Sequence, residues 1–229
     1  MIKSSANSRS NSSSFSKIVP ITGLVHPKDQ DDRAFSLKID GQICPILISS
    51  TYIRLRITEL AHKIIRQTRK KNNDSINLLI VLKGAAFFGC QLAREIYSAG
   101  GPDITIHFVS ASSYGNAKYS SGRCRITGKL NALRGKDVIV VEDICDTGLT
   151  LIKIKQRLLK KEHANSVKAC ILLDKPARRL ARLKNTFIDF VGFQIPNVFV
   201  AGFGLDHADK YRELPFVVAV SKQGVKKPI

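Results

Sequence analysis

The chain has 229 residues, 44% of them hydrophobic, which fits one sizeable globular core, alone or with a small appendage. No apolar run is long enough to cross a membrane, and five scattered cysteines without a C-x-x-C pattern favour free thiols in a reducing compartment over disulfides or a zinc site. The formal charge of +19 is high, but no aromatic interleaving marks a nucleic-acid surface, so we interpret most basic residues as solvated helix faces and expect no nucleic-acid partner.

The first 34 residues are predicted to form a disordered tail, and residues 35–229 the folded domain. Residues 1–16 contain eight serines and no acidic residue, a composition typical of low-complexity segments. This composition leaves a transit peptide open, although we favour a plain tail and a cytoplasmic protein.

Two apolar runs predict a hairpin near the start of the folded part. Residues 35–39 and 43–48 flank Asp40 and Gly41, a pair that favours a tight turn between strands.

The predicted elements that follow alternate between helices and strands. Helical periodicity and short buried apolar runs predict helices at 53–68, 85–97 and after 150, and strands at 78–82, 103–109, 138–141, 167–173, 187–194, 199–202 and 216–220. This alternation is typical of a mostly parallel sheet covered by helices, which binds ligands at the carboxyl ends of its strands. Between two of these strands, residues 111–125 are polar and rich in Ser and Gly, which predicts a long loop that serves as a lid.

The most informative stretch is VIVVEDICDTGLT at residues 138–150. Its β-branched run predicts a strand buried on both faces, and the run stops at Glu142 and Asp143. These two acids are hydrogen-bond acceptors, so they suit the vicinal hydroxyls of a sugar or a divalent cation. Asp146 follows, placed to face whatever is attached to the sugar.

The second half of this stretch suits an anion. Thr147, Gly148 and Thr150 offer hydroxyl groups and backbone N–H groups at the N-terminus of a helix, where a phosphate monoester binds well. A ligand with a 5′-phosphate, a ribose diol and a reactive anomeric carbon fits this order of groups.

Residues 138–150 resemble the loop that binds phosphoribosyl diphosphate (PRPP) in type I phosphoribosyltransferases. From about residue 78 to residue 221 the chain also resembles the hypoxanthine–guanine phosphoribosyltransferases, in the pieces VLKG, ASSYG, VEDICDTGLT, LLDKP, PNVFVAGFGLD and YRE. The resemblance implies an α/β fold with a central, mostly parallel sheet flanked by helices, and a small hood formed by N- and C-terminal segments. It also implies phosphoribosyl transfer from PRPP to hypoxanthine or guanine, Mg²⁺ as cofactor, and a homodimer or homotetramer.

The resemblance implies a set of residues that bind PRPP and the nucleotide, among which Asp146 is also catalytic and takes or orients the proton at purine N7. The full set is Lys83, Gly84, Ser113, Tyr114, Glu142, Asp143, Ile144, Asp146, Thr147, Gly148, Leu149, Thr150 and Arg212.

Within this set, Lys83, Gly84 and Arg212 are expected to hold the pyrophosphate group, and the Lys-Gly turn often contains a cis peptide bond. Ser113 and Tyr114 are expected at the tip of the mobile loop that closes over the diphosphate and excludes water.

A second set is expected to bind the purine and the metal. Lys175 meets the exocyclic O6 and selects 6-oxo over 6-amino bases. Phe199 stacks on the base, and the backbone of Val200 binds its edge. Asp206 orders a water on Mg²⁺, and the expected metal-binding residues are Glu142, Asp143 and Asp206.

Two other functions stay open from the sequence. One is a preference for xanthine, and the other is an RNA-binding regulator on the same fold. Cys145 is either an oxidant-sensitive thiol or, as we favour, a small buried filler. The basic residues after Lys175 are predicted to form a surface turn; they are Arg178, Arg179, Arg182 and Lys184.

Overall fold

A computed structural model describes residues 19–20, 36–70, 75–113, 124–180 and 188–220 of the chain. The described strands are β1 Val19–Pro20, β2 Ser36–Ile39, β3 Gln42–Ile48, β4 Ser75–Leu82, β5 Asp103–Ser113, β6 Cys124–Thr127, β7 Asp137–Cys145, β8 Ser166–Asp174, β9 Phe190–Gln194, β10 Val200–Ala201 and β11 Val217–Ala219. The described helices are α1 Ser50–Arg69, α2 Ala86–Ser98 and α3 Leu149–Lys160, with 3₁₀ turns at Asn131–Leu133 and Pro176–Arg178.

The larger sheet has the strand order β1-β9-β8-β7-β4-β5-β6 in the described part of the chain. Along this order, each strand is parallel to the next one from β1 through β9, β8, β7 and β4 to β5. The last strand, β6, is antiparallel to β5. After β4 the chain moves to β5 on one side, whereas after β7 it moves to β8 on the other side. The carboxyl ends of β4 and β7 therefore border a topological switch point, the place where open α/β sheets bind ligands.

Helices cover both faces of this sheet because its strands are apolar on both sides. Side chains of α1 and α2 pack with Leu78, Ile80, Ile139 and Val141 on one face. Side chains of α3 pack with others on the opposite face, including Val140. The side chains between the helices and each face of the sheet are almost fully buried. This close packing holds the strand ends at the switch point in fixed positions.

A second, smaller sheet forms the predicted hood. Its strand order is β10-β11-β3-β2, so it joins an N-terminal hairpin to C-terminal strands. The hairpin turns at Asp40 and Gly41, with φ angles of 46° and 77°, as in the type I′ turn that this pair favours. The predicted fold, with a mostly parallel sheet, flanking helices and a hood, is confirmed.

Two sequence-based boundaries were wrong at the ligand-binding edge. Glu142 and Asp143 lie inside β7 rather than in a turn, because β7 stays paired with β8 through Glu142–Ile171 and as far as Cys145–Asp174. The predicted loop at 111–125 also begins later and ends earlier, since Ser110–Ser113 pairs with Cys124–Thr127 as an antiparallel ladder.

The structure describes only Val19–Pro20 from the predicted tail. This short strand pairs in parallel with Phe193 and Gln194 at the edge of the sheet, where a proline is tolerated. The rest of residues 1–34 lies outside the described residues, and the disordered tail stays a prediction. Among the described helices, none combines the length and apolar character needed to cross a membrane.

Candidate active site

The turn after β4 packs closely against Asp143 of β7 at the switch point, and this contact between Gly84 and Asp143 is called the interlock. The Leu82–Lys83 peptide bond is cis, as the resemblance implied for this turn. An ideal Cβ on Gly84 would lie 1.7 Å from Oδ2 of Asp143, so the absent side chain is what admits the carboxylate. Gly84 and Asp143, both predicted site residues, are thus in direct contact.

The hood contributes a loop to the same place. Gly204 has a φ of +97°, and a Cβ on it would lie 2.0 Å from the carbonyl oxygen of Gly84. The guanidinium of Arg212 donates to the carbonyl oxygen of Gly204 at 2.8 Å and pairs with Asp206 at 2.6 Å. Arg212 and Asp206 are therefore fixed beside the Lys83–Gly84 turn.

The surroundings of Asp143 shift the pKa of its carboxyl group in both directions. Burial raises the pKa of its carboxyl group to about 6, opposed by hydrogen bonds from backbone N–H groups and by the positive charge of Arg212. The charge of Asp206 raises this pKa further, so these two carboxylates and Arg212 lie close enough to influence one another.

Glu142 is buried and its pKa lies well above the usual value. Burial is the main cause, and the neighbouring charge of Asp143 acts in the same direction. Arg179 opposes the shift, because a nearby cation favours the carboxylate form.

The N-terminus of α3 is arranged to bind an anion. Gly148 caps this helix with a φ of 84°, a left-handed conformation that glycine adopts without strain. The backbone N–H of Leu149 is 3.4 Å from Oγ1 of Thr147, and Thr150 lies in the first turn. No acidic residue occupies that turn, so the helix dipole and the N–H groups of the first turn favour a phosphate group.

Lys175 and Asp146 lie near each other on the other side of the site. Lys175 is 7% exposed, and burial lowers the pKa of its ammonium group, while the charge of Asp146 raises it. The carboxylate of Asp146 is 3.0 Å from Nε of Arg178, in a half-exposed ion pair. A carboxylate acceptor and an ammonium donor that lie near each other suit the N7 and O6 groups of a purine.

Phe199 and Val200 mark the transition from the large sheet to the hood. The ring of Phe199 is 50% exposed and meets the ring of His207 edge-on, with 5.6 Å between centroids. His207 in turn contacts Asp40 in the hairpin turn at 2.6 Å. Phe199 therefore keeps an open face for stacking, whereas the side chain of Val200 is buried and leaves only its backbone for recognition.

The structure does not describe the side chains of two predicted site residues. Ser113 is the last residue of β5, and Tyr114 lies outside the described residues. Their role in a closing loop stays a prediction.

The described residues contain no cluster of three or more His, Cys, Asp or Glu side chains arranged to hold a metal ion. This donor set still fits Mg²⁺, because that ion commonly uses one or two carboxylates together with substrate phosphates and water. The charge of Asp206 acts on Asp143, so these two carboxylates are the candidate ligands for such an ion.

Sequence reasoning missed the contribution of three residues in this region, Asp174, Arg179 and Asp209. Asp209 lies 3.6 Å from Arg212 and 3.8 Å from Lys83, and Asp174 pairs with Arg179 in a nearly buried contact. The prediction of a surface turn is wrong for Arg179, because its side chain, directly after the 3₁₀ turn Pro176–Arg178, is only 6% exposed. The only sequence signal was position, since Asp174 directly precedes Lys175.

Comparisons with known proteins show the family of this chain. The model of the phosphoribosyl transferase domain family matches residues 50–208, and the chain belongs to that family. Within it, the chain belongs to the hypoxanthine phosphoribosyltransferases. It is 38% identical over 173 residues to the hypoxanthine phosphoribosyltransferase of Escherichia coli (strain K12), covering 75% of this chain and 92% of that protein.

Two further relatives extend the comparison. The chain is 38% identical to the hypoxanthine-guanine phosphoribosyltransferase of Bacillus subtilis (strain 168), over 80% of this chain and 93% of that protein. The structure of the Trypanosoma cruzi hypoxanthine phosphoribosyltransferase in complex with the product IMP matches with a TM-score of 0.69 and 35% identity, covering 77% of this chain and 94% of that one. The predicted family is confirmed.

Proposed function

We propose that this protein is a purine salvage enzyme that transfers the 5-phosphoribosyl group from PRPP to hypoxanthine or guanine. The products are IMP or GMP and pyrophosphate. The observation that carries the proposal is the interlock at the switch point, where the carboxylate of Asp143 fills the space left by Gly84. It joins the sugar-binding acids of β7 to the turn that is expected to hold pyrophosphate.

The 5′-phosphate of PRPP binds at the N-terminus of α3, to the backbone N–H groups and hydroxyls of residues 147–150. Glu142 and Asp143 accept hydrogen bonds from the two ribose hydroxyls, and the backbone of Ile144, the next residue, binds beside them. As the bond from the anomeric carbon to pyrophosphate breaks, the ring gains positive charge, and these carboxylates stabilise it.

The leaving pyrophosphate is held by Lys83, the backbone at Gly84, and Arg212. Arg212 is already oriented by Gly204 and Asp206, so its guanidinium needs little rearrangement to bind a phosphate. Glu142, Asp143 and Asp206 would hold Mg²⁺, and the bound ion would supply positive charge that offsets the negative charge of the leaving group. Ser113 and Tyr114 close over the diphosphate and exclude water, which would otherwise hydrolyse the activated sugar.

The base binds with its O6 toward Nζ of Lys175 and a face against Phe199. Its ring nitrogen attacks the anomeric carbon, and Asp146 takes or orients the proton at N7. Adenine presents an amino group to the ammonium group of Lys175, so it is rejected because two donors face each other. Backbone groups at Val200 bind the opposite edge of the base.

The direct test is turnover of purified protein with PRPP and Mg²⁺ against hypoxanthine, guanine, xanthine and adenine separately. We expect nucleotide and pyrophosphate from hypoxanthine and guanine, no product from adenine, and loss of all turnover in excess EDTA that added Mg²⁺ restores. Faster turnover of xanthine than of the other bases would replace the proposal with a xanthine-preferring enzyme. Retention of RNA with no turnover would replace it with the RNA-binding regulator.

We also propose a homo-oligomer in the cytoplasm. Phe87 on α2 is 47% exposed and, with Phe203 of the hood, lines a groove of about 600 Å³ that a second copy of the chain would cover. Light scattering at micromolar concentration is expected to give a dimer or tetramer, and a monomer would contradict this.

The free thiols among the described cysteines, such as Cys90, support a reducing compartment, as proposed for the cytoplasm.

A further inference from the structure

Arg179 is a buried arginine in a segment that otherwise faces solvent. Its side chain is 6% exposed, whereas that of its neighbour Arg178 is 50% exposed. Arginine is rarely buried without partners that require it, so its contacts indicate what it does.

The contacts of Arg179 span two strand ends. One terminal nitrogen, Nη2, donates to the carboxylate of Asp174 at the end of β8. The other, Nη1, donates to Sγ of Cys145 at the end of β7 and lies 3.4 Å from the carbonyl oxygen of Asp146. A planar guanidinium can reach all three acceptors at once, whereas the single ammonium group of lysine cannot.

The charges around Arg179 make this position demanding. The carboxylates of Glu142 and Asp174 are both buried, and the positive charge of Arg179 acts on each of them. Loss of this cation would leave both buried acids without the positive charge that favours their carboxylate forms, which is strongly unfavourable.

The two segments that Arg179 joins belong to different halves of the site. Cys145 and Asp146 lead into the loop that is expected to bind ribose phosphate, and Asp174 directly precedes Lys175, which is expected to bind the purine. The backbone also joins them, through the β7–β8 pairing at Cys145–Asp174 and a hydrogen bond from Lys175 N–H to the carbonyl oxygen of Cys145 at 3.0 Å. The exposed ion pair between Arg178 and Asp146 is a further contact, so the buried guanidinium of Arg179 adds a side-chain link to a backbone one.

We propose that Arg179 is a positioning residue of this site, whose guanidinium fixes the segment at Cys145 and Asp146 relative to the segment at Asp174 and Lys175. It touches neither substrate, but it sets the spacing between the sugar half and the purine half. What the two halves bind rests on the proposed function, whereas the coupling between them does not.

The test compares Arg179→Lys with Arg134→Lys, a control at an exposed arginine in the turn after the 3₁₀ helix Asn131–Leu133. Lysine keeps the positive charge but lacks the planar guanidinium group, whose several N–H donors reach different acceptors. We expect Arg179→Lys to lower kcat/KM for PRPP by roughly 10²-fold, as for other small misplacements of reacting groups, and to accelerate hydrogen exchange of amides 145–148. Arg134→Lys is expected to change neither. Wild-type kcat/KM and unchanged exchange in Arg179→Lys would overturn the proposal.

A second variant separates positioning from charge balance and guards against a misfolded single variant. Asp174→Asn with Arg179→Gln removes both charges, so we expect a urea midpoint above that of Arg179→Gln alone. We expect kcat/KM to stay low, because Cys145 and Asp146 still lack their donor. Recovery of wild-type kcat/KM would show that Arg179 only neutralises Asp174. An inactive wild-type protein would contradict the proposed function, and the exchange rates would still decide the role of Arg179.

Discussion

Replacing Gly84 with alanine tests the interlock at the switch point. The new Cβ would lie 1.7 Å from Oδ2 and 2.5 Å from Cγ of Asp143, distances at which the two groups cannot coexist. To reach ordinary contact, the carboxylate would have to retreat by more than about 1 Å. Misplacement of a reacting group by that amount costs about 10²-fold in rate, so we expect kcat/KM for PRPP to fall by about 10²-fold.

The assay is steady-state formation of IMP from hypoxanthine at varied PRPP, together with urea unfolding of the same variant. We expect the free energy of unfolding to fall by only about 1–3 kcal/mol, as for other overpacked sites, so the variant stays folded.

Gly100→Ala is the matched control. Gly100 has a φ of +67° and no atom within 4 Å of its would-be Cβ, so alanine there is strained without displacing a site residue. We expect it to lose about 1 kcal/mol of stability with unchanged kcat/KM. Wild-type kcat/KM in Gly84→Ala would refute the reasoning, because the carboxylate of Asp143 would then not be needed where the structure has it.

Three further substitutions and one labelling experiment probe other parts of the site. Asp146→Asn is expected to lower kcat by about 10²-fold or more with little change in the KM for PRPP, and an equal effect on both would remove Asp146 from proton transfer. Lys175→Gln is expected to lower the preference for hypoxanthine over adenine, measured as the ratio of kcat/KM values, by at least about 10-fold, and an unchanged ratio would contradict its role. Phe199→Ala is expected to raise the KM for the base by roughly 10-fold with little loss of stability, and a stability loss without a change in KM would make it a core residue. Burial raises the pKa of the Cys145 thiol to about 12, so at pH 8 iodoacetamide should label exposed Cys90 and spare Cys145, with reactivity at Cys145 rising only in strong alkali; rapid labelling of Cys145 at pH 8 would contradict its burial.

Local signals in the sequence predicted the elements well where one short-range interaction decides the structure. Asp40 and Gly41 both need positive φ in a two-residue turn, and this pair is among the few that adopt it easily. The alternation of apolar strands and helices likewise predicted the sheet, because each strand must be buried on both faces.

The same signals failed where pairing with a neighbour overrides local character. Glu142 and Asp143 are acidic, which is unfavourable in a buried strand, yet β7 continues through them because β8 offers backbone partners as far as Asp174. The charge of Arg179 predicted a surface position, and only the fold shows that Asp174 and Cys145 surround its guanidinium. The contact between Arg179 and Cys145 joins residues 34 positions apart, and composition or periodicity cannot reveal it.

The hood loop shows a further limit of sequence reasoning. Phe203, Ala208, Asp209 and Tyr211 all have positive φ, although none is glycine. Such conformations are costly for these residues and tend to occur at ligand sites, where surrounding contacts hold them. No sequence rule predicts a run of them, so the placement of Arg212 by Gly204 came only from the structure.

The most direct measurement for the central claim is a crystal structure of the protein with IMP bound. The account predicts the 5′-phosphate on the backbone N–H groups at Thr147–Thr150, the ribose hydroxyls on Glu142 and Asp143, and O6 within hydrogen-bond distance of Nζ of Lys175. IMP bound elsewhere on the protein, or bound here with its phosphate away from the N-terminus of α3, would contradict it.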